Sequence, residues 1–322
     1  ASLGSVNIPP LAVLKITLSH LFSIDISKDW PDSWHTILWQ LRFPRILLAG
    51  IVGGALALSG AAYQGLFRNP LADPYLIGVA SGAGLGATIV LLTGIPLQFN
   101  GLSVLPLASF TGGSAAVVIA IFIAKQPSGT PLSTLILAGV AIASIASSVT
   151  GILMLKSDPD LRPVLSWLMG SLTSAQWNHI LLVMPYVLPS SLLILIHGRI
   201  INTLQLDEEY SSQLGVNVER SKLILIISAT LLTAAVVSYS GLIGFVGLIA
   251  PHTVRLIWDI DYRTLMPMAS ITGAGFLILA DLTARTITTP EELPVGIVTA
   301  LCGGPFFLFL LNRQRVTISR NY

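Results

Sequence analysis

The stretch QLDEEYSSQLGVNVERSK, Gln205 to Lys222, decides how the chain reads. It carries Asp207, Glu208, Glu209, Glu219, Arg220 and Lys222, and apolar runs lie on both sides of it. Of the 322 residues 53% are hydrophobic and 10% charged, with a mean hydropathy of +0.80. Soluble domains carry about 25% charged residues. A chain this apolar needs an apolar solvent, so the expected class is a polytopic membrane protein. Against that background a polar helix between spans is expected to meet something in water. The plain alternative is an ordinary solvated loop. Connections between spans are normally short, and this one carries helix punctuation: acidic residues in the first turn, where the macrodipole favours them, and Gly215 at a C′ stop.

Working outward, nine spans are expected at 46–66, 74–94, 103–124, 133–155, 179–196, 223–240, 241–257, 264–280 and 294–311. A crossing takes about twenty residues, so the seventh and eighth read as short or broken. Leu223 to Val254 holds no Asp, Glu, Lys or Arg and is too long for one span, which splits it at Ser240-Gly241. The expected fold is an all-α helix bundle forming a single transmembrane domain over 1–322. Small residues in the apolar runs suit close helix packing in lipid, and the ten-residue alternation of a membrane β-barrel does not appear. Residues 1–40 read as short amphipathic helices at the outer face, with Trp30, Trp34 and Trp39 in an interfacial belt.

The positive-inside rule orients the bundle. With the C-terminus inside, ten of the 17 Lys and Arg fall on inner loops and seven on outer ones. Region 199–222 is then cytoplasmic. Nine spans put the two ends on opposite faces, so a further helix ahead of Ala1 is expected, and a cleaved signal is not. PYLIGVASGAGLG (74–86) echoes TLMPMASITGAGF (264–276), as small-residue helices also do by chance.

Three further stretches carry chemistry. RFPR at 42–45 puts Arg42 and Arg45 at the mouth of the first span, either as a headgroup anchor or as an outer dock for carboxylates. Arg285 would join them, partly neutralised by Asp281 one helical turn before it. GLIGFVGLIAPH, 241–252, reads as a broken, pathway-lining segment: Gly241, Gly244 and Gly247 allow close backbone approach, and Pro251 pre-sets a turn or a new helix start. His252 has no second ligand at metal spacing and reads as a structural polar residue. RNPLADPYLIG, 68–78, reads as a tight turn between helices and a second contact surface.

Several classes are disfavoured. The single cysteine, Cys302, forms no disulfide within the chain, and a net charge of +2 is too small to suggest nucleic acid. There is no GxxxxGK[ST] phosphate loop, so the chain cradles no nucleotide, and no cofactor or metal is expected. An ion-coupled secondary transporter, the main alternative, keeps an ionisable group at mid-membrane, and the expected spans hold none away from their ends. An intramembrane enzyme built on His252 and a serine lacks a visible nucleophile–base pair. Energy must come from a partner, and the polar island is the input.

The chain resembles the FecCD/BtuC-like permease family of type II ABC importers for iron-siderophores, haem and vitamin B12. The matching stretches are LRFPRILLAGIVGGALALSGAAYQGLFRNPLADPYLIGVASGAGLGA (41–87), LDEEYSSQLGVNV (206–218), GLIGFVGLIAPHTVR (241–255), LADLTAR (279–285) and ELPVGIVTALCGGPFFLFLL (292–311). The resemblance implies ten helices per subunit, a homodimer with the path at its interface, and location in a bacterial or archaeal cytoplasmic membrane. It implies a coupling helix at Leu206 to Gly215 that enters a cleft of the ATPase subunit, with Leu206, Asp207, Glu208, Glu209, Ser211, Leu214 and Gly215 as its residues. It implies that Arg42, Arg45 and Arg285 meet acidic residues on the two lobes of a substrate-binding protein. Asp207 stands where the family commonly has glycine, and Ser211 where it has alanine. Those departures bear on the fit to a particular ATPase.

Overall fold

The computed structural model describes residues 1–2, 4, 6–22, 30–99, 102–127, 129–156, 161–206, 208–258, 260–288 and 291–319. The chain folds as α1 (Pro10–Phe22), α2 (Asp32–Thr36), a π-helical stretch (Ile37–Arg42) and α3 (Phe43–Leu66). Next come α4 (Val79–Leu92), a minimal antiparallel ladder (Gln98–Phe99 with Leu102–Ser103), α5 (Val104–Ala124) and α6 (Leu132–Lys156). The second half holds α7 (Arg162–Leu168), α8 (Trp177–Ile196), α9 (Gly198–Leu204), α10 (Glu208–Gln213), α11 (Val218–Ser240), α12 (Val246–Ile257), α13 (Tyr262–Thr286) and α14 (Val295–Ser319).

Six helical stretches among the described residues are long and apolar enough to cross a membrane, and three shorter apolar helices accompany them. The protein is a multi-pass, all-helical membrane bundle apart from that ladder. The first crossing is longer than the sequence indicates. Asp32 to Leu66 is one continuous helical run of 35 residues, because the π-wound Ile37–Arg42 carries the helix past the polar RFPR boundary. The eighth is not short either: α13 has 25 residues. Asp281 and Arg285 lie within it, where each offsets the other's charge.

α3 is the axis. Every residue from Val52 to Leu66 is buried, in a segment dominated by alanine, glycine and leucine that also carries the buried polar side chains of Ser59 and Gln64. The crossings are backbone-close. A Cβ on Gly53 would lie 2.3 Å from the Gly273 carbonyl oxygen of α13, and one on Gly60 2.1 Å from that of Gly247 in α12. α4 packs on α5 by the same device, Gly82 against Gly112. The 74–86 and 264–276 echo thus reflects shared packing chemistry, Gly82 and Gly273 each admitting a neighbouring backbone. α5, α6 and α8 lie outside and expose Phe122, Leu137 and Leu181, as a lipid-facing layer does. α1 stays short and buries Ile16 against Leu38, forming a small cluster with Trp30 and Trp34.

Candidate functional site

The structure builds polar groups at both ends of α3, whose 24 residues put those ends about 36 Å apart. At its C-terminal end stands the polar island. α9 follows α8 directly, and α10 folds back on it, with the Ser211 hydroxyl donating to the Thr203 carbonyl at 3.1 Å. Gly215 adopts φ 82° and ends α10 in a Schellman turn: Val216 N–H donates to Ser211 O (3.1 Å) and Gly215 N–H to Ser212 O (3.0 Å). A left-handed residue there needs glycine's freedom. Leu206, Tyr210 and Leu214 are each 64% exposed and lie four residues apart, Tyr210 within α10 and the two leucines on either side of it. Large apolar groups standing free on a polar element mark a contact surface. Ser211, fully buried, faces the bundle instead and holds the helix. Tyr210 is the residue the sequence reading passed over, although the 206/210/214 spacing carried the signal. Asp207 lies outside the described residues, as do the side chains of Glu208 and Glu209.

α9 is pinned to the bundle. Gln205 Nε2 donates to Gly65 O at 2.6 Å. Asn202 donates to Asp261 Oδ1 (2.5 Å) and accepts from the Tyr262 amide (2.9 Å). The Arg263 side chain holds the Asp261 carboxyl well below the usual carboxylate range; the Arg263 amide and the Asn202 side chain add to this. A charged Asp261 suits its place as N-cap of α13.

At the other end Arg42, Arg45 and Arg285 come together around a cleft of about 410 Å³, lined also by Glu292. All three arginines are buried. Arg45 donates through Nε to both Asp281 oxygens (2.9 and 3.2 Å) and through Nη1 to Glu292 at 2.7 Å. Arg285 pairs with the same Asp281 at 3.1 Å, across one helical turn. Arg42 donates to the carbonyls of Ala1, Ser2 and Val6, which pass over it. Three guanidiniums and two carboxylates leave one surplus positive charge, which favours an incoming anion. The pairing of Arg45 with Asp281 and Glu292 joins positions 236 and 247 residues apart. No local spacing signals it.

Between the two ends lies the broken segment. α11 stops at Ser240, and Gly241 turns at φ 66° with its α-carbon against the Trp167 carbonyl. The backbone then runs unhelical to Phe245, a non-glycine residue at φ 69°, and α12 begins at Val246. The Tyr75 hydroxyl bridges the break, donating to Ile243 O (3.0 Å) and accepting from Ile243 N (3.2 Å). Gly247 makes the close approach expected of it, whereas Gly244 has open space where a Cβ would stand. Pro251 starts no helix: it sits inside α12. Proline cannot donate to the carbonyl four residues back, here Gly247. Gln64 Nε2 supplies that hydrogen bond from α3, at 3.1 Å, so α12 runs on. His252 packs edge-on against Phe306 of α14.

Residues 1–313 match the profile of the FecCD transport family. Over 318 residues the chain is 42% identical to the hemin transport system permease protein HmuU of Yersinia pestis, spanning 98% of this chain and 92% of that one. Over 286 residues it is 43% identical to the cobalamin import system permease protein BtuC of Halobacterium salinarum, spanning 89% and 76% respectively. A solved structure described as an inward-facing conformation of a metal-chelate type ABC transporter superposes with a TM-score of 0.81 at 32% identity, covering 95% of this chain and all of that one.

Proposed function

The chain belongs to the FecCD transport family, and from that premise we propose that it is the permease subunit of an ATP-driven importer of a metal chelate in a bacterial or archaeal cytoplasmic membrane. Its partners in this reading are a second copy of itself, two ABC ATPase subunits and an extracytoplasmic binding protein. The binding protein delivers a ferric siderophore, haem or cobalamin and docks acidic side chains at the cleft of Arg42, Arg45 and Arg285. The ATPase receives the α10 element in a surface cleft. ATP binding and hydrolysis move that element, and the path opens alternately outward and inward around the break at 241–247.

The observation that carries this reading is the exposure of three large apolar side chains, Leu206, Tyr210 and Leu214, on an otherwise polar element. It stands about 36 Å from the arginine cleft, which separates an energy input from a delivery site. An apolar anchor set in a polar rim is the usual anatomy of a docking hot spot. The test is assembly. Glu208→Lys with Leu214→Asp is expected to abolish co-purification with the ATPase subunit while the permease itself still folds. A doubly substituted permease that assembles normally refutes the docking. Uptake that follows a proton gradient without ATP would instead establish an ion-coupled carrier. The ligand that co-purifies with the binding protein identifies the cargo.

A further inference from the structure

Pro251 leaves the Gly247 carbonyl without its helical donor, and the side chain that replaces the donor also joins a longer hydrogen-bonded chain. Gln64 is 1% exposed. Its Nε2 donates to Gly247, and its Oε1 accepts from Arg255 Nη1 at 2.5 Å. Arg255 Nη2 donates to the Tyr262 hydroxyl at 3.1 Å. The Tyr262 amide donates to Asn202 of α9, and α9 holds α10 through Thr203 and Ser211. Packing follows the same route: a Cβ on Gly65 would meet Ile201 at 2.3 Å and the Tyr262 ring at 2.8 Å.

We propose that Gln64, Arg255 and Tyr262 are positioning residues that transmit movement of the α9–α10 element to the broken start of α12. This rests on the reading of α10 as the ATPase-coupling element. Three features support it. The chain is continuous from α10 to the hinge. It ends on the one carbonyl of α12 that Pro251 frees from the helix, so a shift of Gln64 acts on a backbone group with no competing intrahelical donor. The hinge is poised to move, because Phe245 is held at a positive φ that costs a non-glycine residue of order 1–3 kcal/mol. Its ring lies against Gly303 of α14, where a Cβ would come within 2.3 Å of it. Tyr75 anchors the far side of the break at Ile243. The segment is thus held from several sides, and among the described residues the Gln64 contact is the one this hydrogen-bonded chain carries back to α10. A chain of contacts becomes a coupling only where both ends bias one two-state element; here that element is the 241–247 segment.

The experiment separates transmission from simple support. Gln64→Leu removes the bonds to Gly247 and Arg255. Adding Pro251→Ala returns a backbone N–H to Gly247 and restores its hydrogen bond without restoring the link to Arg255. Both variants are co-expressed with the ATPase subunit, reconstituted in proteoliposomes with the binding protein, and measured for thermal stability and for transport per ATP hydrolysed of whichever of haem, a ferric siderophore and cobalamin the wild-type complex carries. Transport per ATP is expected to fall about tenfold in Gln64→Leu, an energy of coupling near 1.4 kcal/mol. In the double variant stability recovers and transport per ATP stays low. Recovery of both together makes Gln64 a structural support and overturns the proposal, as does an unchanged ratio in Gln64→Leu. If Gln64→Leu alone does not fold, the double variant against wild type decides: a wild-type ratio overturns the proposal and a low ratio upholds it. Failure of the wild-type permease to assemble with an ATPase is a different result, and it removes the reading of α10 on which the relay rests.

Discussion

Asp281 is 1% exposed and shared by two buried guanidiniums, Arg45 at 2.9 Å and Arg285 at 3.1 Å. Asp281→Ala leaves both arginines in place with Glu292 as the remaining carboxylate of the cluster. Breaking a buried ion pair by removing one partner costs about 3–5 kcal/mol, because the orphaned charge stays desolvated. Glu292 reaches the same Arg45 at 2.7 Å, but its side chain is 37% exposed. Solvent screens that pair, so Glu292→Ala is expected to cost no more than about 1 kcal/mol. Replacing Arg45 and Asp281 by Met and Leu removes one of the two guanidiniums that Asp281→Ala leaves without that carboxylate, and is expected to recover about half of the Asp281→Ala loss. Reversible denaturation of the purified permease in mixed micelles reads all four proteins. A loss under about 1 kcal/mol for Asp281→Ala, or equal losses for Asp281→Ala and Glu292→Ala, would refute the claim that a desolvated pair ties α3 to α13.

Two other outcomes follow from the same structure. Gly60→Ala sets a methyl 2.1 Å from the Gly247 carbonyl, so α3 and α12 must part by about 1 Å; a loss of about 1–3 kcal/mol is expected in the same denaturation assay, with Gly275→Ala, which meets nothing, as the neutral control. Asp73, in the turn between α3 and α4, has its carboxyl pushed up to about 6 by burial, against the pull of the Tyr75 amide. A raised folded-state value gives stability that is complete below the unfolded value near 4 and lost as pH rises through 6. The permease is therefore expected to be less stable at pH 8 than at pH 5 by about 1 kcal/mol, and Asp73→Asn to flatten that slope in a pH series.

What the sequence disclosed was local. The break at Ser240-Gly241 was legible because an uncharged run too long for one crossing met a glycine, and Gly215 because a short polar helix had to stop before the next span. What it concealed depended on partners far along the chain. Pro251 reads as a turn or a new helix start until Gln64, 183 positions before Gly247, is seen to satisfy the Gly247 carbonyl that the proline frees. α13 reads as short because Asp281 and Arg285 look like a boundary, yet in the fold Asp281 pairs with both Arg285 and Arg45, and the two charged residues remain inside the helix. The arginine cleft was half visible: RFPR announced two cations, whereas the carboxylates facing them come from α13 and from the segment before α14.

The π-wound stretch Ile37–Arg42 has a bearing on how such chains diverge. A π turn accommodates an extra residue within a helix. Losing one residue there lets the run rewind as ordinary α-helix, while Phe43 to Leu66 keep their seat against α12 and α13. Five α-helical residues turn through about the same angle as the six π-wound ones, so α1 and α2 keep their aim and the core is not disturbed. Single-residue gaps between related chains are therefore expected to gather at 37–42, and the crossing that follows to align without them. The stretch is a slack point in evolutionary time, at which the chain can shorten by a residue while the outer rim and the interior both stay as they were.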